Sequence, residues 1–379
     1  MRFIVPDDLV ESAVPNDRFL LKDLFDRESV GALGDAVQVA LPSFDKNAFL
    51  QGVFDAGWPA RELKQRMRHV TTVLHELIPG EYRDQLEVLL QAAPHTVRGF
   101  PALVYSDFVE VYGTADWEAS VPALARFTGL GSAEFAIRPF IAGDQERTLA
   151  QMFEWAGDPD PEVRRLATEG CRPRLPWGMR LHALVADPTP ILPILERLHQ
   201  DPDESVRRSV ANNLNDISKD HPDMVVDLLR SWNPEAGSDL YRLARHALRT
   251  LLKKGHRGAL GVLGFEPSQS VELEALALEP AAVTIGGSAR LNFTIVSTLG
   301  DPQPVMVDFA VHYVKADGST SRKVFRLGSL VLQPGRPVHF SRKLSFKQMT
   351  TRVHRPGTHR VEVLANGVVA GSIEFQLSA

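Results

Sequence analysis

Three stretches of this chain hold polar residues that packing alone does not require. In Ser132-Ala133-Glu134-Phe135-Ala136-Ile137-Arg138-Pro139-Phe140-Ile141, Glu134 is an acid among apolar neighbours, in what reads as a helix interrupted by a proline. In Thr168-Glu169-Gly170-Cys171-Arg172-Pro173-Arg174-Leu175-Pro176-Trp177-Gly178, Glu169 precedes two arginines and a tryptophan on a proline-stiffened loop. In the run from Ser209 to Pro222, Asn212, Asn213, Asn215 and Asp216 crowd the end of another helix. Carboxylates near arginines are the groups that acid–base and electrostatic catalysis use. Each residue also has a plainer reading. A lone Glu is commonly solvated, Asn or Asp at a helix end is commonly a cap, and a loop tryptophan commonly plugs a gap rather than offering a stacking platform.

The elements that must position these groups are announced by a repeated phrase. Gly157-Asp158-Pro159-Asp160-Pro161-Glu162-Val163-Arg164-Arg165-Leu166-Ala167 returns as Gln200-Asp201-Pro202-Asp203-Glu204-Ser205-Val206-Arg207-Arg208-Ser209-Val210, 43 residues later. That period suits stacked helix pairs of the HEAT kind. Proline belongs in a first helical turn and acids belong at the positive end of the helix dipole. A third, degenerate copy begins at Asp239. Apolar spacing of three and four over Arg61–Leu74, Tyr82–Ala92 and Asp144–Trp155 extends the helical reading from about residue 17 to 265. Stacking places Glu169 and Asp216, at matching ends of neighbouring repeats, on one concave surface. Both copies carry an Arg-Arg pair where a scaffold needs apolar residues, which hints at an anionic partner.

Composition narrows the class. A length of 379 residues allows two or three domains, and 44% hydrophobic with 23% charged residues is ordinary for a globular protein. The start, Met1 to Asp8, lacks the pattern of a signal peptide, and no run approaches membrane-spanning length, so the cytoplasm is expected. The single cysteine, Cys171, excludes an internal disulfide and cysteine-based zinc sites. His69, His75, His182, His199 and His246 show no ligand spacing and read as structural or surface groups. No metal or organic cofactor is expected. Net charge is −5, yet Leu240 to Phe265 contains no acid while Arg242, Arg245, Arg249, Lys253, Lys254 and Arg257 are basic. Residues 266–379 carry 12 Lys plus Arg against 9 Asp plus Glu. Positive charge is therefore clustered, and clustering matters more than the total.

Character changes near Gly255 to Ser270. Alternating segments follow at Ser288–Val296, Val305–Val314, Lys323–Leu327, Val338–Leu344 and His359–Leu364, with hairpin signals at Asp317-Gly318 and Asn366-Gly367. The Gly286-Gly287 pair reads as a turn. About seven short strands imply an immunoglobulin-like sandwich. The fold class is thus multidomain: an all-α HEAT-like repeat solenoid over residues 1–260, then an all-β immunoglobulin-like sandwich over residues 268–379.

The phrases Leu21-Lys22-Asp23-Leu24-Phe25, Glu62-Leu63-Lys64-Gln65-Arg66, Glu134 to Phe140 and Ser205 to Asp216 resemble the HEAT-like DNA alkylation repair glycosylases of the AlkC and AlkD superfamily. The added sandwich resembles the AlkC branch. The resemblance implies a glycosylase of base excision repair that releases cationic alkylated bases, chiefly 3-methyladenine and 3-methylcytosine, from double-stranded DNA without flipping them. It assigns Glu134 and Glu169 as catalytic carboxylates and Asp216 as a third acid. It puts Trp177 beside the deoxyribose or the exposed base, where cation–π attraction is available, and Arg172 at the lesion. Arg174, Arg164, Arg165, Arg207, Arg208, Arg245, Arg249 and Lys253 would hold the DNA backbone, with Arg342, Lys343 and Arg352 closing from the sandwich. A monomer suffices for such a clamp. The segment from Val97 to Leu130 matches no family phrase, so Asp107, Glu110 and Glu118 stay candidates. The rival readings are a non-catalytic DNA-damage sensor and a protein-interaction scaffold. The scaffold expects internally paired arginines, and it is disfavoured if the asparagine run is buried without a task.

Overall fold

The computed structural model describes residues 20–266, 270–348 and 353–379. The expected start of the second domain at 268 and the expected DNA contact Arg352 lie outside these residues. Among the described residues, α-helices run from Arg27–Ala40 to Arg257–Val262, and every strand lies from Val271 onward. The chain packs as two compact units, Met1–Leu198 and His199–Ala379.

In the first unit the helices form because their apolar residues recur at three and four. Helix Leu63–Leu77 buries Met67, Val70, Val73 and Leu74 on one stripe and packs against helix Leu103–Tyr112. Full burial of such side chains stabilises by about 1.5–3 kcal/mol each. Helix Gln145–Trp155 packs between Arg138–Gly143 and Pro161–Glu169. The last of these begins as the phrase predicts. Asp158 Oδ1 accepts from Asp160 N at 2.8 Å, Asp160 caps by accepting from Glu162 N at 2.9 Å, and Pro161 opens the first turn.

In the second unit the same start recurs at helix Glu204–Ile217. Asp201 Oδ1 accepts from Asp203 N at 2.8 Å, and Asp203 accepts from Ser205 N at 2.7 Å. Helices Pro222–Ser231, Asp239–Ala247, Arg249–Lys254 and Arg257–Val262 complete the helical part. Eight strands follow among the described residues: β1 (Val271–Glu279), β2 (Ala282–Thr284), β3 (Ser288–Ser297), β4 (Gln303–Val314), β5 (Thr320–Leu332), β6 (Val338–Ser345), β7 (Gly357–Ala365) and β8 (Val368–Ser378). They form sheets ordered β1-β3-β6 and β2-β8-β7-β4-β5, antiparallel except for the β2–β8 pair. Leu291, Phe293 and Ile295 alternate inward on β3 and join Val307, Phe309, Val361 and Val363 in one core.

The five segments predicted from alternation fall within β3 to β7. Asn366 and Gly367, at φ 48° and 75°, make the tight turn between β7 and β8. That hairpin also joins the sandwich to the helical part of its unit. Asn366 Nδ2 donates to Glu266 O at 2.9 Å, and a Cβ on Gly367 would lie 2.7 Å from Leu260 Cδ1. The sandwich is seated on the last helices and shares their unit.

Candidate active site

Glu134 lies on a turn before helix Arg138–Gly143, not inside a helix, and Pro139 opens that helix instead of interrupting it. Proline has no N–H to donate, so the first turn is where it costs least. The side chain is buried, with 1% of Glu134 exposed. Its Oε2 accepts from Ser132 Oγ at 2.9 Å and from Arg165 Nη2 at 2.9 Å. Glu169 ends the first repeat helix with 2% exposure, and its Oε1 accepts from Arg172 Nη1 at 2.5 Å. Burial pushes the Glu134 carboxyl above its ordinary range, and the nearby charge of Glu169 adds to the rise. Arg165 and Ser132 oppose it. The result is a pair of buried acids, each clamped by an arginine, in electrostatic contact with each other.

The loop after Glu169 is closed on itself, with Leu181 N donating to Pro173 O at 3.3 Å. It presents Trp177 to solvent at 57% exposure and holds it at φ 62°, a conformation that a bulky residue adopts rarely. Lys64 Nζ donates to Trp177 O at 2.7 Å and sits 4.6 Å from the centre of the Phe135 ring. Beside the indole, Arg174, Leu175, Pro176, Gly178, Arg180 and His182 line an open cavity of about 480 Å³. Sequence reasoning missed Lys64 and Arg138 as individuals, although both stand in the phrases that carried the family resemblance.

In the second unit Asp216 is 1% exposed and accepts from Lys219 Nζ at 2.7 Å. Two of the asparagines beside it, Asn212 and Asn215, have a structural task. Asn212 Oδ1 bonds His246 Nε2 at 2.9 Å and accepts from Arg249 Nη2 at 3.1 Å, while Asn215 Oδ1 accepts from Thr250 Oγ1 at 2.9 Å. These bonds tie helix Glu204–Ile217 to helices Asp239–Ala247 and Arg249–Lys254, so burial of Asn212 and Asn215 is no argument against a scaffold. Buried amides need partners, and here neighbouring helices supply them.

The arginines divide by position. Arg164 Nη1 donates to Asp158 O at 2.9 Å and Pro159 O at 3.0 Å. Arg207 Nη1 donates to Asp201 O at 2.5 Å and Pro202 O at 2.9 Å. The first arginine of each pair thus ties down its own turn. The second differs: Arg165, with 14% of its side chain exposed, pairs with the buried Glu134, whereas Arg208 is exposed and pairs with Glu204. Arg245 and Lys253 are exposed, as are Arg342 and Lys343 on β6. Arg207, Arg208, Arg242 and His246 line a second cavity of about 420 Å³.

The remaining acids are absorbed locally. Asp107 is buried and accepts from Arg68 Nε at 2.9 Å, Arg68 Nη2 at 2.8 Å and Thr71 Oγ1 at 2.7 Å. Glu110 adjoins the same guanidinium at 3.4 Å, its carboxyl pushed up by burial and by Asp107. Glu118 pairs with Arg147. His69 and His75 bond Gly52 O and Gln85 Oε1, and His199 stacks on Trp232. No helix among the described residues is long and apolar enough to cross a membrane.

A family model described as DNA alkylation repair enzyme matches residues 57–251, and one described as the C-terminal Ig-like domain of uncharacterised protein YhaZ matches residues 272–379. The Uncharacterized protein YhaZ of Bacillus subtilis (strain 168) is 42% identical over 358 residues, 94% of this chain and 99% of the relative. The alkylpurine DNA glycosylase AlkC of Pseudomonas fluorescens, solved bound to DNA containing an abasic site analog, is 42% identical, covering 95% of this chain and 100% of that chain, with a TM-score of 0.84. The helical part and the appended sandwich therefore fall in one known plan, and the chain belongs to the DNA alkylation repair enzyme family.

Proposed function

We propose that this protein is a DNA glycosylase of base excision repair that hydrolyses the N-glycosidic bond of cationic alkylated bases, 3-methyladenine and 3-methylcytosine, in duplex DNA. The observation that carries the reading is the pair of arginine-clamped, buried carboxylates, Glu134 and Glu169, with Trp177 exposed on the loop that follows Glu169. Similarity to an alkylpurine glycosylase over nearly the whole chain supports it. Alkylation at N3 makes the base cationic, so it departs as a neutral molecule and needs no protonation. What remains is an oxocarbenium-like sugar and an attacking water. A carboxylate next to the sugar stabilises the first, and a carboxyl with a raised pKa suits taking the proton of the second. Glu134 fills the latter role and Glu169 the former, with Asp216 as a third acid that positions water.

Trp177 stacks against the deoxyribose or the exposed base, with Arg172 at the lesion, and the base need not enter a pocket. Arg174, Arg164, Arg207, Arg208, Arg245, Arg249 and Lys253 hold the backbone, Arg342 and Lys343 add contacts from the sandwich, and Arg165, expected from the sequence among these, serves Glu134 instead. Such contacts give salt-dependent, sequence-independent affinity. A monomer of two domains, residues 1–260 and 268–379, acts in the cytoplasm without a cofactor.

The scaffold reading draws support from Arg164 and Arg207, which serve their own turns. It leaves two buried acids without a purpose. The test is release of free methylated base from methylated duplex DNA by the parent, Glu134→Gln and Glu169→Gln. The expected result is release by the parent and loss of about a hundredfold or more in a variant that still binds duplex. Binding without release by the parent turns the protein into a sensor, and neither activity returns it to a scaffold.

A further inference from the structure

Arg138 is fully buried, and none of the catalytic or DNA-contact roles above uses it. Its Nη1 donates to Gly170 O at 2.8 Å, one residue past Glu169, and its Nε donates to Met179 O at 2.6 Å, two residues past Trp177. The side chain runs directly under the loop. A Cβ on Gly178 would lie 3.3 Å from both Cδ and Nε of Arg138, and a Cβ on Gly170 would lie 2.5 Å from Ile137 Cγ2. Glycine at both places lets the backbone approach the Ile137-Arg138 segment. One guanidinium thus fixes two points of the same closed loop, and Lys64 holds it from the far side through Trp177 O. A planar fork with several donors can meet two carbonyls at once, which an ammonium cannot do in the same geometry.

We infer that Arg138 is a positioning residue that sets Glu169 and Trp177 together, by pinning the backbone on either side of the loop that joins them. This rests on the reading that both groups face the alkylated nucleotide. Arg138 touches neither substrate nor reacting atoms. It removes the freedom of a loop whose exposed tryptophan has an uncommon backbone conformation, so the site is formed before DNA arrives. Pre-organisation of this kind acts on the rate more than on binding, since displacement of a group by about 1 Å can cost a hundredfold.

The experiment combines amide hydrogen exchange over residues 172–181 with single-turnover release of methylated base and affinity for a duplex containing an abasic site. In Arg138→Gln the loop amides should exchange about tenfold faster or more, and the release rate should fall by about tenfold or more. Affinity should stay within about threefold, because the contacts to phosphate are untouched. Arg138→Lys keeps the charge and can reach one of the two carbonyls, and should recover part of both effects. If Arg138→Gln does not fold, Arg138→Lys is read alone, with an intermediate loosening and rate loss expected. Unchanged loop exchange overturns the proposal, and so does a loosened loop with an undiminished rate. If the parent releases no base while the variant's loop still loosens, the glycosylase reading fails and the anchoring by Arg138 stands.

Discussion

The two copies of the repeat begin alike and end differently. At the start, Asp158 and Asp201, Asp160 and Asp203, and Arg164 and Arg207 make the same bonds to the same backbone positions. Further along, Arg165 pairs with the buried Glu134, while Arg208 pairs with Glu204 in solvent. The final acids differ too: Glu169 is clamped by a buried arginine, and Asp216 by the half-exposed Lys219. The likeness belongs to folding, because a turn must cap its own helix wherever it occurs. The difference belongs to what stands beside each helix: the first copy meets the buried Glu134 through Arg165, and the second meets the half-exposed Asp239 through Arg207 at 3.2 Å.

The largest test of that difference is Arg165→Ala. It leaves Glu134 buried without its counter-charge, and removing one partner of a buried pair destabilises by about 3–5 kcal/mol. The measurement is denaturant unfolding, repeated across pH. Glu134 already titrates above its ordinary 4.5, so its favourable contribution is complete below that pH and lost as pH rises through the folded value. The variant should therefore fall furthest behind the parent at neutral pH and approach it on acidification. A deficit that does not shrink as pH falls would mean that Glu134 is not the group left stranded.

Much of this was legible in sequence, and the failures have physical causes. The Asp-Pro-Asp phrase gave both helix starts because capping is local chemistry. Asn366-Gly367 gave a hairpin for the same reason. The strands that escaped, β1, β2 and β8, have weaker signals: β2 spans three residues, and β1 carries an irregular register between Glu274 and Ala277 that breaks alternation. Glu134 was found as a residue but given the wrong element, since a proline reads equally as the break of one helix or the opening of the next. The asparagine run looked functional because its partners, His246, Arg249 and Thr250, lie some 35 positions away. Arg138 looked like any helical arginine for the same reason. Its two carbonyl acceptors are supplied by tertiary structure.

An intermediate effect should come from Arg164→Ala and Arg207→Ala. Each removes a charged donor shared by two turn carbonyls, and such bonds contribute about 1.5–3 kcal/mol. The two variants should lose similar amounts in urea unfolding. A loss in only one would show that the copies are not equivalent even at their shared start.

The smallest effect on folding should come from Arg208→Ala. Its guanidinium and the Glu204 carboxylate are both largely exposed, and ion pairs of that kind contribute about 0–1 kcal/mol. Unfolding should therefore shift by less than about 0.5 kcal/mol, against several for the corresponding Arg165. Duplex affinity supplies the other half of the test. If Arg208 meets a phosphate, its removal should weaken binding uniformly across sequences and reduce the slope of log affinity against log salt by about one. Arg165, already committed to Glu134, should not behave this way. Unchanged salt dependence in Arg208→Ala would leave the second arginine of the second repeat with no role in DNA binding, and would confine the difference between the copies to the buried pair.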